Sequence, residues 1–474
     1  MAPTQDLSFT PLYRLGELIE EGALSPVELT RHFLERIERL DGRVNAFKEV
    51  SAERALAAAG AAETALAGKH RLGPLHGVPL AVKDLFDVAG LPTTGGSRLL
   101  YRVAVRDATA WARLAAAGAV LLGKTHMVEF AFGGVGINHH FGTPRNPWDA
   151  ETARIPGGSS SGSGAAVAAG LAPAALGTDT GGSVRIPASF CGLVGLKPTF
   201  GRVSNADVLP LDPTLDSVGP MVRCVRDAAL LFGLLVGPDP ADSSTWDQPA
   251  WAEDPQTAVE GLRLGLPQQL FWEDTQPQVA DAVRRAAARL ADLGAQVEEV
   301  SLPELDELMR LRQRGSLTAV ESYLYYREWL DTRADEFDPI VSVRMLAGRD
   351  MAGHEFLALQ RDLDDLRRRF HRRMQGFDAL LTPTTPFTAL PVEEADTDDY
   401  GRINILCLRN TSVANQLGLP ALSLPCGFDD GGLPVGLHLI GRPFAEATLL
   451  RLGQAYEEAA DWSGRRPPAA DLAV

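Results

Sequence analysis

The sequence predicts an α/β protein, and three observations predict it. Five short apolar runs have the length and composition of buried strands: GVPLAVK (77–83), GAVLLGK (118–124), AALGTDT (174–180), ALLTP (379–383) and ALSLP (421–425). Segments with apolar residues at helical spacing lie between them. LRLGLP (262–267), the amphipathic stretch 280–294 and QVEEVSLP (296–303) together read as a strand–helix–strand unit. Strands alternating with helices are the pattern of an α/β layer architecture.

Taken in order, residues 9–70 read as helices. In SPVELTRHFLERIERLDGRV, Ser25 and Glu28 stand three positions apart ahead of an apolar stripe, the spacing of a capping box. A glycine- and serine-rich block then runs from 71 to 235. Residues 236–256, VGPDPADSSTWDQPAWAEDPQ, are the one loop-rich linker. They are expected to separate the glycine-rich first half from a more helical second half, 257–474. In that half QRDLDDLRRRFHRRM (360–374) is a further amphipathic helix.

The chain has 474 residues, 45% of them hydrophobic, enough for a sizeable core. Its net charge of −16 argues against a broad nucleic-acid-binding face, because phosphate contacts need clustered Lys and Arg. A partner protein that carries nucleic acid stays open. MAPTQDLSFTPLYRLGELIEEG has no basic stretch followed by an apolar one, so no secretion signal is expected. No apolar run reaches the roughly 18 residues of a membrane span. A cytoplasmic protein without membrane contact is the expectation. Cys191, Cys224, Cys407 and Cys426 lack metal-ligand spacing and are expected to be buried free thiols, with no metal site.

Lys and Arg together number 45, yet lysine stands only at 48, 69, 83, 124 and 197, which leaves 40 arginines. Each surviving lysine is therefore of interest. Lys83 ends an apolar strand, where burial disfavours the ammonium form. Lowering a lysine from about 10.4 to about 7 takes roughly 4.6 kcal/mol, which a buried strand end can supply. Arginine could not act as a base there, because it does not deprotonate in proteins. The alternative is a surface lysine whose head reaches solvent.

Three other motifs are weaker. GAVLLGKT (118–125) matches a phosphate-binding loop, but its middle residues favour a buried strand. GSSSG (158–162) matches a nucleophile elbow centred on Ser160, but Pro156 and two glycines replace the strand that an elbow requires. YLYYREW (323–329) suits a helix core, or a pocket for an apolar acyl group through Tyr323, Tyr326 and Trp329. LGTDTGGSVR (176–185) is stronger. A strand runs into Asp179 and Thr180, then a glycine turn reaches Ser183. Consecutive N–H groups in such a turn can converge on a developing oxyanion. Asp179 and Arg185 are expected to pair and brace it; Arg185 as a clamp for a substrate carboxylate is the alternative.

These blocks resemble the amidase signature family. The segments are GPLHGVPLAVKDLFDVAGLPTTGGS, LAAAGAVLLGKTHMVEFAFGG, GTPRNPWD, RIPGGSSSGSGAAVAAGLAPAALGTDTGGSVRIPASFCGLVGLKPTFGRVS and GLPALSLPCGF. The resemblance spans about residues 10–467. It implies a single α/β domain over 1–474, with a mixed twisted sheet flanked by helices on both faces and no cofactor. It implies a Ser–cis-Ser–Lys triad: Ser183 as nucleophile, Ser159 as relay after a cis peptide from Gly158, and Lys83 as base. It also implies an oxyanion site on the N–H groups of Thr180, Gly181, Gly182 and Ser183. Ala131 and Phe132 would line the acyl pocket, and Ser160 would support the network or substrate by hydrogen bonding, with a plain turn serine as the alternative.

Two positions depart from the family pattern. Ser161 stands where a second glycine is common. In the related amidotransferase, an acidic residue before the NLAGLP-like segment helps to hold glutamine; here Leu408 is near that register, and 401–415 hold no Asp or Glu. The resemblance therefore implies first an amidohydrolase that cleaves a carboxylic amide, or an ester or carbamate, through a Ser-bound acyl-enzyme. Its expected partner is a small-molecule amide, with no direct nucleic-acid contact and with a homodimer left open. The alternative is the glutamine-hydrolysing A subunit of a tRNA-dependent amidotransferase. A catalytically silent scaffold is a third reading, against which the intact Lys83, Ser159 and Ser183 set speaks. Substrate choice is expected to lie in 303–350, 384–391 and 401–416.

Overall fold

The computed structural model describes residues 6–252, 257–460, 462 and 464–470. The first five residues of the N-terminal stretch and 253–256 of the linker lie outside the described residues.

One sheet of eleven strands organises the chain. In chain order they are β1 (Phe47–Val50), β2 (Pro79–Lys83), β3 (Val120–Thr125), β4 (Ala174–Thr178), β5 (Val194–Lys197), β6 (Val218–Val222), β7 (Arg263–Pro267), β8 (Gln296–Val300), β9 (Ala379–Pro383), β10 (Ala421–Phe428) and β11 (Pro434–Gly441). Their order across the sheet is β1-β3-β2-β4-β6-β5-β10-β11-β9-β7-β8. β2 is parallel to both β3 and β4, whereas β4 and β6 are antiparallel. The sheet is therefore mixed. Every residue of β2, β3 and β4 is buried, as expected for strands covered on both faces. The five apolar runs of the sequence are β2, β3, β4, β9 and β10.

Helices cover the sheet. Ser161–Ala168 packs on β2, β3, β4 and β6, and Pro277–Asp292 packs on β8, β9, β10 and β11. The small residues of SGSGAAVA let the first of these approach closely. A Cβ on Gly162 would stand 2.3 Å from the Ala46 carbonyl oxygen, so no larger residue fits.

Three expectations change. The stretch 9–70 is not all helix, because β1 lies between Pro26–Val44 and Ala52–Ala67. Its four residues are too few to show a period; pairing with β3 makes them a strand. The linker at 236–256 does not divide the sheet, since β6 before it and β7 after it belong to the same one. Ser25 caps its helix as expected, accepting from the N–H groups of Val27 and Glu28 at 3.1 Å, but among the described residues the Glu28 carboxylate does not accept from the Ser25 N–H to complete the box, and the Ser25 hydroxyl donates to Glu63. Among the described residues, no helix is long and apolar enough to cross a membrane.

Candidate active site

Lys83 and Thr178 end the parallel neighbours β2 and β4. Carboxyl ends of parallel strands are where α/β sheets gather ligand-binding groups. Lys83 is fully buried, with Nζ 2.8 Å from Ser159 Oγ and 2.9 Å from Thr178 Oγ1. Burial lowers Lys83 to about 7, although Asp216 and Asp179 pull the other way. A large fraction of this lysine is therefore neutral near neutral pH. The Gly158–Ser159 peptide is cis, in accord with the resemblance.

Ser183 follows β4 by a tight turn. The Ser160 N–H donates to the Ser183 carbonyl at 3.3 Å, which ties the serine segment to this turn. Gly182 has φ +142°, and a Cβ there would meet Thr411 Oγ1 at 2.1 Å. Only glycine suits the position. Among the described residues, the N–H groups of Thr180, Gly181, Gly182 and Ser183 have no acceptor. Four consecutive free donors in one turn are the kind of arrangement that can receive an anion.

Beneath the turn, Arg185 is fully buried. It gives Asp179 two hydrogen bonds, at 2.8 and 2.9 Å, and donates to the Thr411 carbonyl at 2.8 Å and to Asn415 Oδ1 at 2.6 Å. Burial alone would raise the Asp179 carboxyl, but Arg185 overrides it and holds the group well below the usual range. The expected brace is present, and a buried Arg185 is no substrate clamp. Thr180 Oγ1 donates to Asp216 at 2.5 Å. Burial, with Asp212 adding to it, pushes Asp216 up to about 7.

A cavity of about 680 Å³ opens over Ser183. Ala131, Phe132, Thr180 and Gly181 line it, as does Leu408. Phe130 and Ala131 adopt left-handed φ values of 47° and 62°. Their loop is held by Glu129, which accepts from Ser97 Oγ and from the Asp338 N–H, both at 2.7 Å. Lys83 and Ser159 are buried and do not line the cavity. Neither do two residues expected at the substrate, Gly182 and Ser160. The Ser160 hydroxyl instead donates to the Thr178 carbonyl at 3.3 Å, joining the helix start to β4.

The aromatic stretch also lies elsewhere. Tyr326 and Trp329 pack on Phe130, with ring centroids at 4.2 and 6.0 Å, and Tyr323 donates to Asp331. None of the three lines this cavity, so they give no sign of an apolar acyl group. The segment 384–391 does not line it either. The phosphate-loop match is strand β3, and its Lys124 is buried 2.9 Å from Asp84. The elbow match has no strand before Ser160. Of the four cysteines, Cys191, Cys224 and Cys407 are buried and Cys426 is half-buried, all as free thiols.

Sequence reasoning missed the charged lining: Glu273, Asp274, Arg312, Arg344, Arg402 and Arg409. The arginines fall in segments flagged for substrate choice, but nothing local separates them from the other arginines of this chain.

The family model for Amidase matches residues 28–450. The chain belongs to the amidase family. A relative in this family, the A subunit of the glutamyl-tRNA(Gln) amidotransferase of Moorella thermoacetica, is 41% identical over 98% of this chain and 99% of its own length. The solved structure of the corresponding A subunit from Thermotoga maritima superposes with TM-score 0.81 at 32% identity, covering 97% of this chain and 96% of that one. The native peptide amidase of Stenotrophomonas maltophilia gives TM-score 0.84 at 31% identity, covering 99% of this chain and all of that one. These amidases share the large mixed sheet flanked by helices.

The relatives correct one expectation. A small-molecule amide as sole partner, without nucleic acid and with at most a second copy of the chain, does not fit relatives that bear the name of one component of an enzyme for glutamyl-tRNA(Gln).

Proposed function

We propose that this amidase-family hydrolase is the amide-hydrolysing A subunit of a tRNA-dependent amidotransferase, releasing ammonia from glutamine. The buried Lys83–Ser159 hydrogen bond beside Ser183 and its four free N–H groups supports the chemistry. The amidotransferase relatives support the setting. Neutral Lys83 takes a proton from Ser159, which takes one from Ser183. The Ser183 oxygen attacks the amide carbon, and the turn from Thr180 to Ser183 stabilises the oxyanion. The C–N bond breaks, and the proton returns through Ser159 to the nitrogen, which leaves as ammonia. Water then adds to the acyl ester, and Ser183 regains its proton. The test reconstitutes the chain with the other amidotransferase subunits and Glu-tRNA(Gln), with ammonia release from glutamine as the readout. Release that is lost in Ser183→Ala supports the proposal. An assembled complex that releases no ammonia from glutamine overturns it.

Leu408 favours a second reading. It puts an apolar side chain in the cavity near the register where glutamine-using relatives are expected to carry an acid. The same machinery would then hydrolyse another carboxylic amide, or an ester or carbamate. A substrate screen that finds such turnover exceeding that of glutamine supports this alternative.

A further inference from the structure

Two walls of the cavity over Ser183 come from helices far apart in the chain. Pro339–Leu346 supplies Arg344, and Tyr400–Arg409 supplies Asn404 and Leu408. Both helices meet the loop around Phe132. Arg344 stacks on the Phe132 ring at 4.0 Å and donates to the Phe132 carbonyl. Asn404 Oδ1 accepts from the Gly134 N–H at 2.8 Å.

His139, further along the same loop, joins the two helices at their starts. Its Nδ1 lies 2.8 Å from Asp338 Oδ1, and its backbone N–H donates to Asp338 Oδ2 at 2.9 Å. Its Nε2 lies 3.0 and 3.1 Å from the two oxygens of Asp396. Asp338 is the N-cap of Pro339–Leu346, and Asp396 stands just before Tyr400–Arg409. The loop itself is anchored. Buried Asn138 donates to the Gly96 and Met127 carbonyls at 2.8 and 2.9 Å and accepts from the N–H groups of His140 and Phe141.

The geometry fixes the charge of the ring. An ionised carboxylate only accepts, and a neutral imidazole has one N–H. Carboxylates at both ring nitrogens therefore need the imidazolium, which donates to each. The hydrogen bond to Asp338 raises His139 to about 9, against the burial that would lower it. Burial alone would raise Asp338, but the hydrogen bonds from His139 hold it below the usual range. The neighbouring groups do not replace this cation. Burial lowers His140 and pushes Glu129, which accepts from the Asp338 N–H, up to about 7. Arg98 donates to the His140 carbonyl, and burial pushes the Tyr400 phenol up to about 12.

We propose that His139 is a positioning residue for the substrate cavity, its imidazolium clamping the Arg344 helix to the Asn404 helix through Asp338 and Asp396. The proposal rests on the hydrolytic reading above and adds to it a residue that does not line the cavity. At pH 7 the clamp holds. As the pH rises through about 9 the ring loses its second proton, the two carboxylates lose their shared donor, and the walls loosen.

Nitrogen-15 spectra of the histidine rings test the bridge, with His139→Gln assigning the signal. Both His139 nitrogens are expected to be protonated at pH 7; a ring with a single proton there overturns the proposal. In the reconstituted assembly with glutamine, His139→Gln and Asp396→Asn should each raise KM about fivefold or more and leave kcat within about threefold, because the clamp shapes binding and not the chemistry at Ser183. His139→Arg keeps its charge at every working pH and should match the unmodified KM at pH 7. The ratio of the unmodified KM to that of His139→Arg should then rise about fivefold or more by pH 10, and taking the ratio cancels the titration of glutamine itself. A KM unmoved in both breaking variants overturns the proposal, as does a flat ratio. Asp396 is half-exposed, so Asp396→Asn decides the matter even where a His139 variant fails to fold. An assembly that releases no ammonia from glutamine overturns the proposed function and not the clamp. Hydrogen exchange then decides the clamp without a substrate. The amides of 339–346 should exchange about tenfold faster in Asp396→Asn, and unchanged exchange overturns it.

Discussion

Lys83 gives the sharpest test, because burial raises the fraction of neutral, competent base while it lowers the protein's stability. Its ammonium is lowered from 10.5 to about 7 by burial. At pH 7 an unshifted lysine would be neutral about once in 3,000 molecules, and the buried one about once in two. Burial therefore supplies a gain of roughly 10³ in competent base. Below the folded value the base is protonated, so kcat/KM should fall about tenfold per pH unit under a midpoint near 7. The linkage sign follows from the same shift. Between about 7 and 10.5 the unfolded chain binds more protons than the folded one, so Lys83 costs about 4 kcal/mol of stability at pH 7. Lys83→Met removes that cost but strands the hydroxyls of Ser159 and Thr178, at about 1 kcal/mol each. The net expectation is a variant more stable by about 2 kcal/mol in urea unfolding, with kcat/KM down at least about 10²-fold. A variant that is both inactive and markedly less stable would refute the assignment of a desolvated neutral base. So would a wild-type profile flat from pH 5 to 8.

Three further outcomes are expected. Asp216→Asn removes a carboxylate that raises Lys83, so the acid limb of kcat/KM should move to lower pH; a limb that stays or moves up would show that Asp216 does not act on the base. Gly182→Ala puts a Cβ 2.1 Å from Thr411 Oγ1 at φ +142°, and fluorophosphonate labelling of Ser183 should slow by about 10²-fold or more as the N–H turn is displaced. Lys124→Met strands the Asp84 carboxylate, both groups being buried at 2.9 Å, and urea unfolding should register a loss of about 3–5 kcal/mol.

The α/β class was legible in the chain before any coordinates, because buried strands such as PLAVK and ALLTP are short apolar runs whose chemistry is local. Lys83 and the glycine turn that reaches Ser183 stand out in one dimension, whereas Ser159 is singled out from its neighbouring serines only by the resemblance to the amidase signature family. β1 was not legible, because its four residues become a strand only by pairing with β3. Nor did any local signal separate Ser160, which bonds to β4, from the residues that face the cavity. The charge of the cavity emerged only from the folded arrangement. Arg312 and Arg409 lie 97 positions apart, and Arg312 donates to the Arg409 backbone. Which groups surround a guanidinium is decided in space. In a chain with 40 arginines, no local pattern marks the two that meet in the cavity.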